Sequence, residues 1–277
     1  MIRVTNYTGV TRYDLARTIA GRGRYWTTAY RVGDLLIDSG CAHTAAELLA
    51  ALAPAWPTRL IITHSHEDHI GANGPLQRRN PHLKIHAHPG ALPVLAAPRA
   101  LQPLQAYRRV FWGYPEPSEA IGVNHHQRIE IRDHSFQVIF TPGHSPDHLC
   151  LYEPDQGWLF SGDLFVGGRE RALRAEYSIW EIIASLKTIA ALPLRWLFPG
   201  CARVREQPAE ALRSKIDYLE SLGQEVIALH ETGRSVHAIA RELLGGPKWI
   251  EWVTRGHFSR RALVASYLRQ EGRDLEE

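Results

Sequence analysis

The chain has 277 residues, 44% of them hydrophobic, enough for one large domain or one domain with an appendix. Its 32 basic and 29 acidic side chains nearly cancel, so the charge balance implies no polyanionic partner. No apolar run approaches the roughly 20 residues of a membrane helix, the first residues carry no secretory pattern, and three scattered cysteines argue against a disulfide framework, so a reducing, cytoplasmic setting is expected.

Residues 1–38 alternate short strand-like pieces with turns, and 24–31 with 34–38 read as a hairpin closed by Asp38-Ser39-Gly40. Residues 44–52 have helical composition, ended by Pro54. A short β-branched strand is expected over 59–63 and another over 83–87. Residues 89–124 change character. Pro89, Pro93, Pro98 and Pro103 precede Tyr107, Arg108, Arg109, Phe111, Trp112 and Tyr114, which reads as a long irregular insertion, either a lid or a surface excursion that packs its own aromatics. Hairpins follow over 128–132 with 136–140, and over 149–152 with 157–160. Apolar residues at Ile179, Ile182, Ile183, Leu186 and Ile189 predict a helix over 177–191. A strand over 194–198 comes next, then helices over 207–232, 234–244 and 259–270, broken by Gly233, Gly245, Gly246 and Pro247.

The chain is organised around Thr63 to Gly71, Thr-His-Ser-His-Glu-Asp-His-Ile-Gly. His64, His66, Asp68 and His69 lie within six positions, directly after an apolar strand. In extended backbone His64 and His66 emerge on one side; Asp68 and His69 fall where the chain turns. Imidazole with carboxylate suits zinc, iron or manganese, and one loop can begin two adjacent metal positions. The pattern of strand, turn and metal-competent residue recurs at His144, Asp163 and Cys201. Open sheets present binding residues at strand ends, so these four ends can converge. His148 reads as a hydrogen-bonded partner near the site, and His125 and His126 as solvent-exposed.

These motifs resemble the metallo-β-lactamase superfamily: His64-Ser65-His66-Glu67-Asp68-His69, Thr141-Pro142-Gly143-His144, Gly162-Asp163 and Phe198-Pro199-Gly200. The resemblance runs from about residue 25 to 202 and implies an α+β fold, a four-layer αββα sandwich with metals at one edge. It implies one ion on His64, His66 and His144. A second would sit on Asp68, His69 and one further residue, with Asp163 bridging. The family usually supplies a histidine where this chain has Cys201. A thiolate can replace it; otherwise Cys201 is a small buried residue and the second ion is weakly held or absent. The expected content is two zinc per chain, with one zinc or iron as the alternative. On this reading residues 1–205 form the catalytic domain, 89–124 its lid-like insertion, and 206–277 a helical C-terminal extension packed on or next to it.

The expected chemistry is hydrolysis of a thioester, lactone or other ester by metal-bound hydroxide, with Asp68 accepting or returning the proton. Tyr107, Arg108, Trp112 and Arg169 are candidate substrate contacts; Arg109, Tyr114, Arg171 and Arg174 lie nearby in sequence. Such arginines at the mouth would favour an anionic group on a small-molecule substrate. Two alternatives carry different consequences. A single-iron centre would make the chain a persulfide dioxygenase-type oxidoreductase. Helix-turn-helix-like spacing with Arg234, Arg241, Lys248, Arg255, Arg260 and Arg261 would make it a phosphodiesterase or nuclease, although nucleic acid is not the expected partner. No membrane partner is expected, and a homodimer is compatible with the chain.

Overall fold

A computed structural model describes residues 1–246 and 249–269. Strands β1 (Ile2–Tyr7), β2 (Val10–Ile19), β3 (Arg22–Val32) and β4 (Leu35–Ile37) pair antiparallel in order. Helix α1 (Ala45–Leu52) then returns the chain so that β5 (Arg59–Ile61) lies parallel to β4. Helix α2 (Asn73–Arg79) leads to β6 (Lys84–Ala87). Three short helices, α3 (Leu92–Ala96), α4 (Pro98–Leu101) and α5 (Ala106–Phe111), precede β7 (Ile121–Gly122), which completes a seven-stranded sheet.

The second sheet starts with β8 (Arg128–Ile131), β9 (His134–Phe140), β10 (Leu149–Glu153) and β11 (Trp158–Gly162). After β12 (Leu173–Arg174) and helix α6 (Ile179–Ala190) come β13 (Trp196–Pro199), parallel to β11, and β14 (Arg205–Glu206). Helices α7 (Ala209–Glu231), α8 (Val236–Leu244) and α9 (Trp249–Val253), strand β15 (Phe258–Ser259) and helix α10 (Arg260–Leu268) finish the described chain. β15 reaches back to pair with β12.

The period-two alternation of the strands builds the layers. Leu35 and Ile37 face the second sheet while Leu36 faces the helices; on β10, Leu149 and Leu151 face inward while Cys150 and Tyr152 face outward. One apolar core therefore lies between the sheets, with Phe136, Phe160 and Phe198 at its centre. A second core lies under α1, α2 and α3, and a third under α6, α7, α8 and α10. This is the expected αββα sandwich with C-terminal helices.

The structure departs from the sequence reading in three places. β2 and β3 are long strands of 10 and 11 residues rather than short pieces. Residues 89–111 are largely helical rather than irregular, because Pro93 and Pro98 stand in first turns, where a missing N–H breaks no helical bond, while 113–120 carry neither helix nor strand. Third, the two-residue strands β12 and β15 join the segment after Asp163 to the C-terminal extension, a pairing no local pattern announces. Pro247, Lys248 and Gln270 lie outside the described residues. Among those described, no helix is long and apolar enough to cross a membrane.

Candidate metal centre and substrate pocket

Parallel pairing of β4 and β5 sets two strand tips side by side. At the first tip Asp38 takes a left-handed backbone (φ 58°), uncommon for a residue with a Cβ, and turns its buried carboxylate across to the second. Thr63 donates to it from its backbone N at 2.7 Å and from its hydroxyl at 2.8 Å. His69 Nδ1 donates to Asp38 Oδ2 at 2.8 Å, since a carboxylate can only accept. Having donated to Asp38, the Thr63 hydroxyl accepts from His64 Nδ1 at 3.0 Å. In both rings Nδ1 is thereby occupied and Nε2 is left to face the cleft.

The other residues arrive from the second sheet. His144 follows β9, and Asp163 follows β11. The Asp163 backbone N–H donates to His148 Nε2 at 3.2 Å, and His148 Nδ1 meets the Thr141 hydroxyl at 2.8 Å. Burial pushes the His148 pKa down to about 4, which suits a ring that accepts at Nε2. Two glycines permit this closeness. A Cβ on Gly162 (φ +46°) would fall 2.7 Å from His148 Nε2, and one on Gly200 would fall 2.6 Å from Asp163 Oδ1. Asp147 fixes the loop itself by accepting from Ser65 N at 2.9 Å.

Two groups of donor atoms result, each with all its atoms within 4.8 Å of one another: His64, His66 and His144, and His64, His69 and Asp163. His66 contributes Nδ1, 3.1 Å from His144 Nε2. Asp163 stands between the groups, Oδ1 3.5 Å from His69 Nε2 and Oδ2 3.8 Å from His144 Nε2. Asp68 is adjacent, its Oδ2 4.0 Å from His69 Nε2.

Electrostatics match this division. Burial holds His64, His66 and His144 well below the ordinary histidine pKa, at His144 against an upward pull from Asp163, so their ring lone pairs are available at neutral pH. At His69 burial also works downward, but Asp163 and Asp38 outweigh it and raise the pKa strongly. Burial pulls Asp163 up, yet His69 brings it well below the usual carboxylate range. Burial lifts Asp68 to about 6. His64 Nε2, His69 Nε2 and Asp163 Oδ1 are buried and have no hydrogen-bond partner among the described residues. Each such atom costs about 1–3 kcal/mol if left unsatisfied. Three of them converging, in an imidazole and carboxylate set, fit a divalent cation.

The remaining candidates separate. Cys201 falls outside both groups; it is exposed at its surface, yet desolvation of the thiol, followed by the nearby Asp163 carboxylate, raises its pKa strongly. Tyr107 and Trp112 line a cavity of about 310 Å³ above Asp68, His144 and Asp163, together with Tyr25, Trp26 and Phe111. Arg108 does not reach this mouth. It is buried and its guanidinium grips both carboxylate oxygens of Glu67, with Nε 2.6 Å from Oε1. Arg169 turns away as well, lying 5.3 Å from the Tyr218 ring on α7. The arginine in the cavity wall is Arg174. His125 and His126 are exposed. In the helix-turn-helix-like region Arg234 pairs with Glu242, Arg260 is buried against Glu251, and Lys248 lies outside the described residues.

Sequence reasoning missed Asp38, Asp147, Tyr177, Thr254 and Phe258, the last three of which line the cavity. Asp38 carried a usable signal, since it follows an apolar strand just as His64 does. Thr254 and Phe258 carried none, because only the β12–β15 pairing brings them there.

A sequence model of the metallo-beta-lactamase superfamily matches residues 28–201. The chain is 27% identical over 197 residues to an atrochrysone carboxyl ACP thioesterase of Aspergillus fumigatus, covering 70% of this chain and 55% of that protein. It is 32% identical over 138 residues to a hydroxyacylglutathione hydrolase of Xanthomonas euvesicatoria, covering 50% and 44%. The chain thus spans about half the length of these curated relatives. A metallo-beta-lactamase family protein of Thermus thermophilus superposes with a TM-score of 0.66 at 18% identity, over 95% of this chain and 91% of that one. A protein crystallised in a di-iron-bound form gives a TM-score of 0.56 at 30% identity, over 69% and 94%. The matched segment contains every gathered donor from His64 to Asp163, and the chain belongs to the metallo-beta-lactamase superfamily.

Proposed function

We propose that the chain is a metal-dependent hydrolase acting on a thioester or another ester, lactones included. The observation that carries this is the convergence of three buried, unpartnered donor atoms, one of them on Asp163 in the lining of an aromatic-walled cavity. The names of the relatives, a carboxyl ACP thioesterase and a hydroxyacylglutathione hydrolase, support thioesters first. In this reading His64, His66 and His144 hold one ion. Asp68 and His69 hold a second, with Asp163 between them and Cys201 completing the set. Zinc is the expected metal, two ions per chain, and the di-iron form of a 30% identical protein keeps iron in the test.

A divalent ion held there lowers the pKa of a bound water to roughly 7 and polarises a carbonyl oxygen. The chain's own residues do the rest. Asp68, beside His69 and lining the cavity, is the residue placed to take and return a proton. Tyr25, Trp26, Tyr107, Trp112 and Phe258 enclose the acyl group of a small-molecule substrate and exclude water. Residues 1–205 would be the catalytic unit, with 89–124 as its lid and 206–277 closing the pocket through Thr254 and Phe258.

Elemental mass spectrometry combined with a thioester, lactone and phosphodiester screen tests the reading. The expected result is about two metal ions per chain and a thioesterase activity that His66→Ala removes. One iron per chain, with oxygen uptake on a persulfide and no ester hydrolysis, would overturn it. Cys201→Ala is expected to lose one of the two ions and keep the other; equal metal content in both proteins would exclude Cys201 as a ligand.

A further inference from the structure

The cavity wall holds a strong cation with no carboxylate at ion-pair distance among the described residues, although Glu67 and Asp68 act on it from further off. Arg174 is 9% exposed and enters no ion pair among the described residues. Its one side-chain neighbour at hydrogen-bond range is His66, with Nη1 3.5 Å from Nε2. Of the neighbouring carboxylates, Glu67 is gripped by Arg108, Glu176 meets His257 at 3.2 Å, and Asp68 is one of the donors the proposed function gives to a cation. A buried guanidinium with no carboxylate in contact keeps donors free in the cavity wall, where an anion from outside can take them.

The neighbouring groups point the same way. His66 turns Nδ1 toward the cluster; with that atom given to a cation, the single ring proton sits on Nε2. Arg174 and His66 then face each other as two donors 3.5 Å apart, an arrangement that a shared acceptor satisfies. The Tyr177 hydroxyl, 3.4 Å from His144 Nε2, is on the same wall, and the Arg174 guanidinium lies 5.4 Å from its ring. Pairing of Arg174 with Phe258 across β12 and β15 fixes the backbone from which this side chain projects. Around it the wall is apolar: Ala172, Leu173 and Phe258.

We propose that Arg174, His66 Nε2 and Tyr177 form a carboxylate-binding subsite beside the metal cluster, so that the pocket takes an acyl group with an apolar body and an anionic end. This rests on the hydrolase reading and narrows its substrate. The carboxylate has two sources. It is carried by the substrate, or it is the one hydrolysis makes, when a water oxygen joins the acyl carbon, the C–S bond breaks and the thiol departs with a proton. A bidentate guanidinium recognises either.

Calorimetric titration of the metal-loaded protein with phenylacetate and with neutral phenylacetamide tests the subsite directly. Wild type is expected to bind phenylacetate at least about tenfold more tightly than the amide. Arg174→Met should erase the difference and Arg174→Lys should keep part of it, with metal content unchanged in both. Tyr177→Phe, which removes only a hydroxyl, should weaken phenylacetate about threefold and serves if Arg174→Met does not fold. Equal phenylacetate affinity in wild type, Arg174→Met and Tyr177→Phe would overturn the proposal. A hemisuccinyl thioester and its methyl ester then separate the sources. An Arg174-dependent preference for the free acid places the carboxylate on the substrate. Equal turnover of the pair, with Arg174-dependent inhibition by phenylacetate, assigns the subsite to the released acid. If neither thioester is hydrolysed, the hydrolase reading fails while the titration still decides the subsite.

Discussion

The metal loop and the pocket wall above it are built in opposite ways. The loop packs four donors into residues 64–69, and its partners Asp38 and Thr63 come from two adjacent parallel strand tips. The wall is assembled from four distant pieces: strand β3, helix α5, strand β12 and the segment 254–258. Single contacts join them. The Tyr107 hydroxyl meets His257 Nδ1 at 2.9 Å, His257 Nε2 meets Glu176 at 3.2 Å, and β12 pairs with β15. If the proposed function holds, the chemistry rests on the loop's short-range geometry and the choice of substrate on segments joined to it by few contacts.

Substitutions should expose that division, beginning inside the loop. His66→Ala removes a donor from the three-histidine group and is expected to lower kcat/KM by on the order of 10³ or more, the scale set when an ion's electrostatic contribution is lost. Elemental analysis should show a parallel loss of metal; full metal content with full activity would remove the group from the chemistry. Asp38→Ala is expected to be next in size. Its carboxylate holds His69 directly and His64 through Thr63, and such orienting partners are worth roughly 10–100-fold in metal affinity. Chelator competition measures this, and an unchanged affinity would mean that the rings are aimed by something else.

The same contrast explains what the sequence made legible. His64, His66, Asp68 and His69 are close in sequence and follow one strand, so their convergence can be read without a fold. His144 and Asp163 sit at other strand ends and become legible only as members of a series. Arg108 and Arg169 looked equivalent to Arg174, three basic residues on segments near the mouth. What separates them is tertiary: Glu67 takes Arg108, the Tyr218 ring takes Arg169, and only Arg174 is left facing the donors. The helices of 89–124 were hidden because proline in a first turn and proline in a loop look alike in sequence. Phe258 was hidden because a two-residue strand has no periodicity to detect.

Loop and wall are not independent everywhere. Arg108 on α5 grips Glu67, which lies between the ligand candidates His66 and Asp68, and Gln102 donates to the Ser65 carbonyl at 3.0 Å. Arg108→Met leaves Glu67 buried and unpaired, and removing one partner of a buried ion pair costs about 3–5 kcal/mol. Thermal unfolding should show that loss. Metal affinity should fall too, although less than in Asp38→Ala, because Arg108 reaches the ligands only through the loop backbone. Stability lost with metal affinity untouched would confine the pair to packing.

The smallest effect is expected where the wall is joined to itself. Tyr107→Phe keeps the ring in the cavity and removes the hydroxyl that meets His257. One net hydrogen bond is worth about 0.5–1.5 kcal/mol, which corresponds to a rise in KM of between about two- and tenfold if closure over the acyl group depends on it. Residues 254–258 should exchange their amide hydrogens faster, since β15 loses a tie to α5. Metal content should stay at the wild-type value, and kcat should move less than KM, because no donor atom of the cluster touches this bond. A fall in kcat larger than the rise in KM, or a loss of metal, would show that the wall reaches the chemistry as well as the choice of substrate.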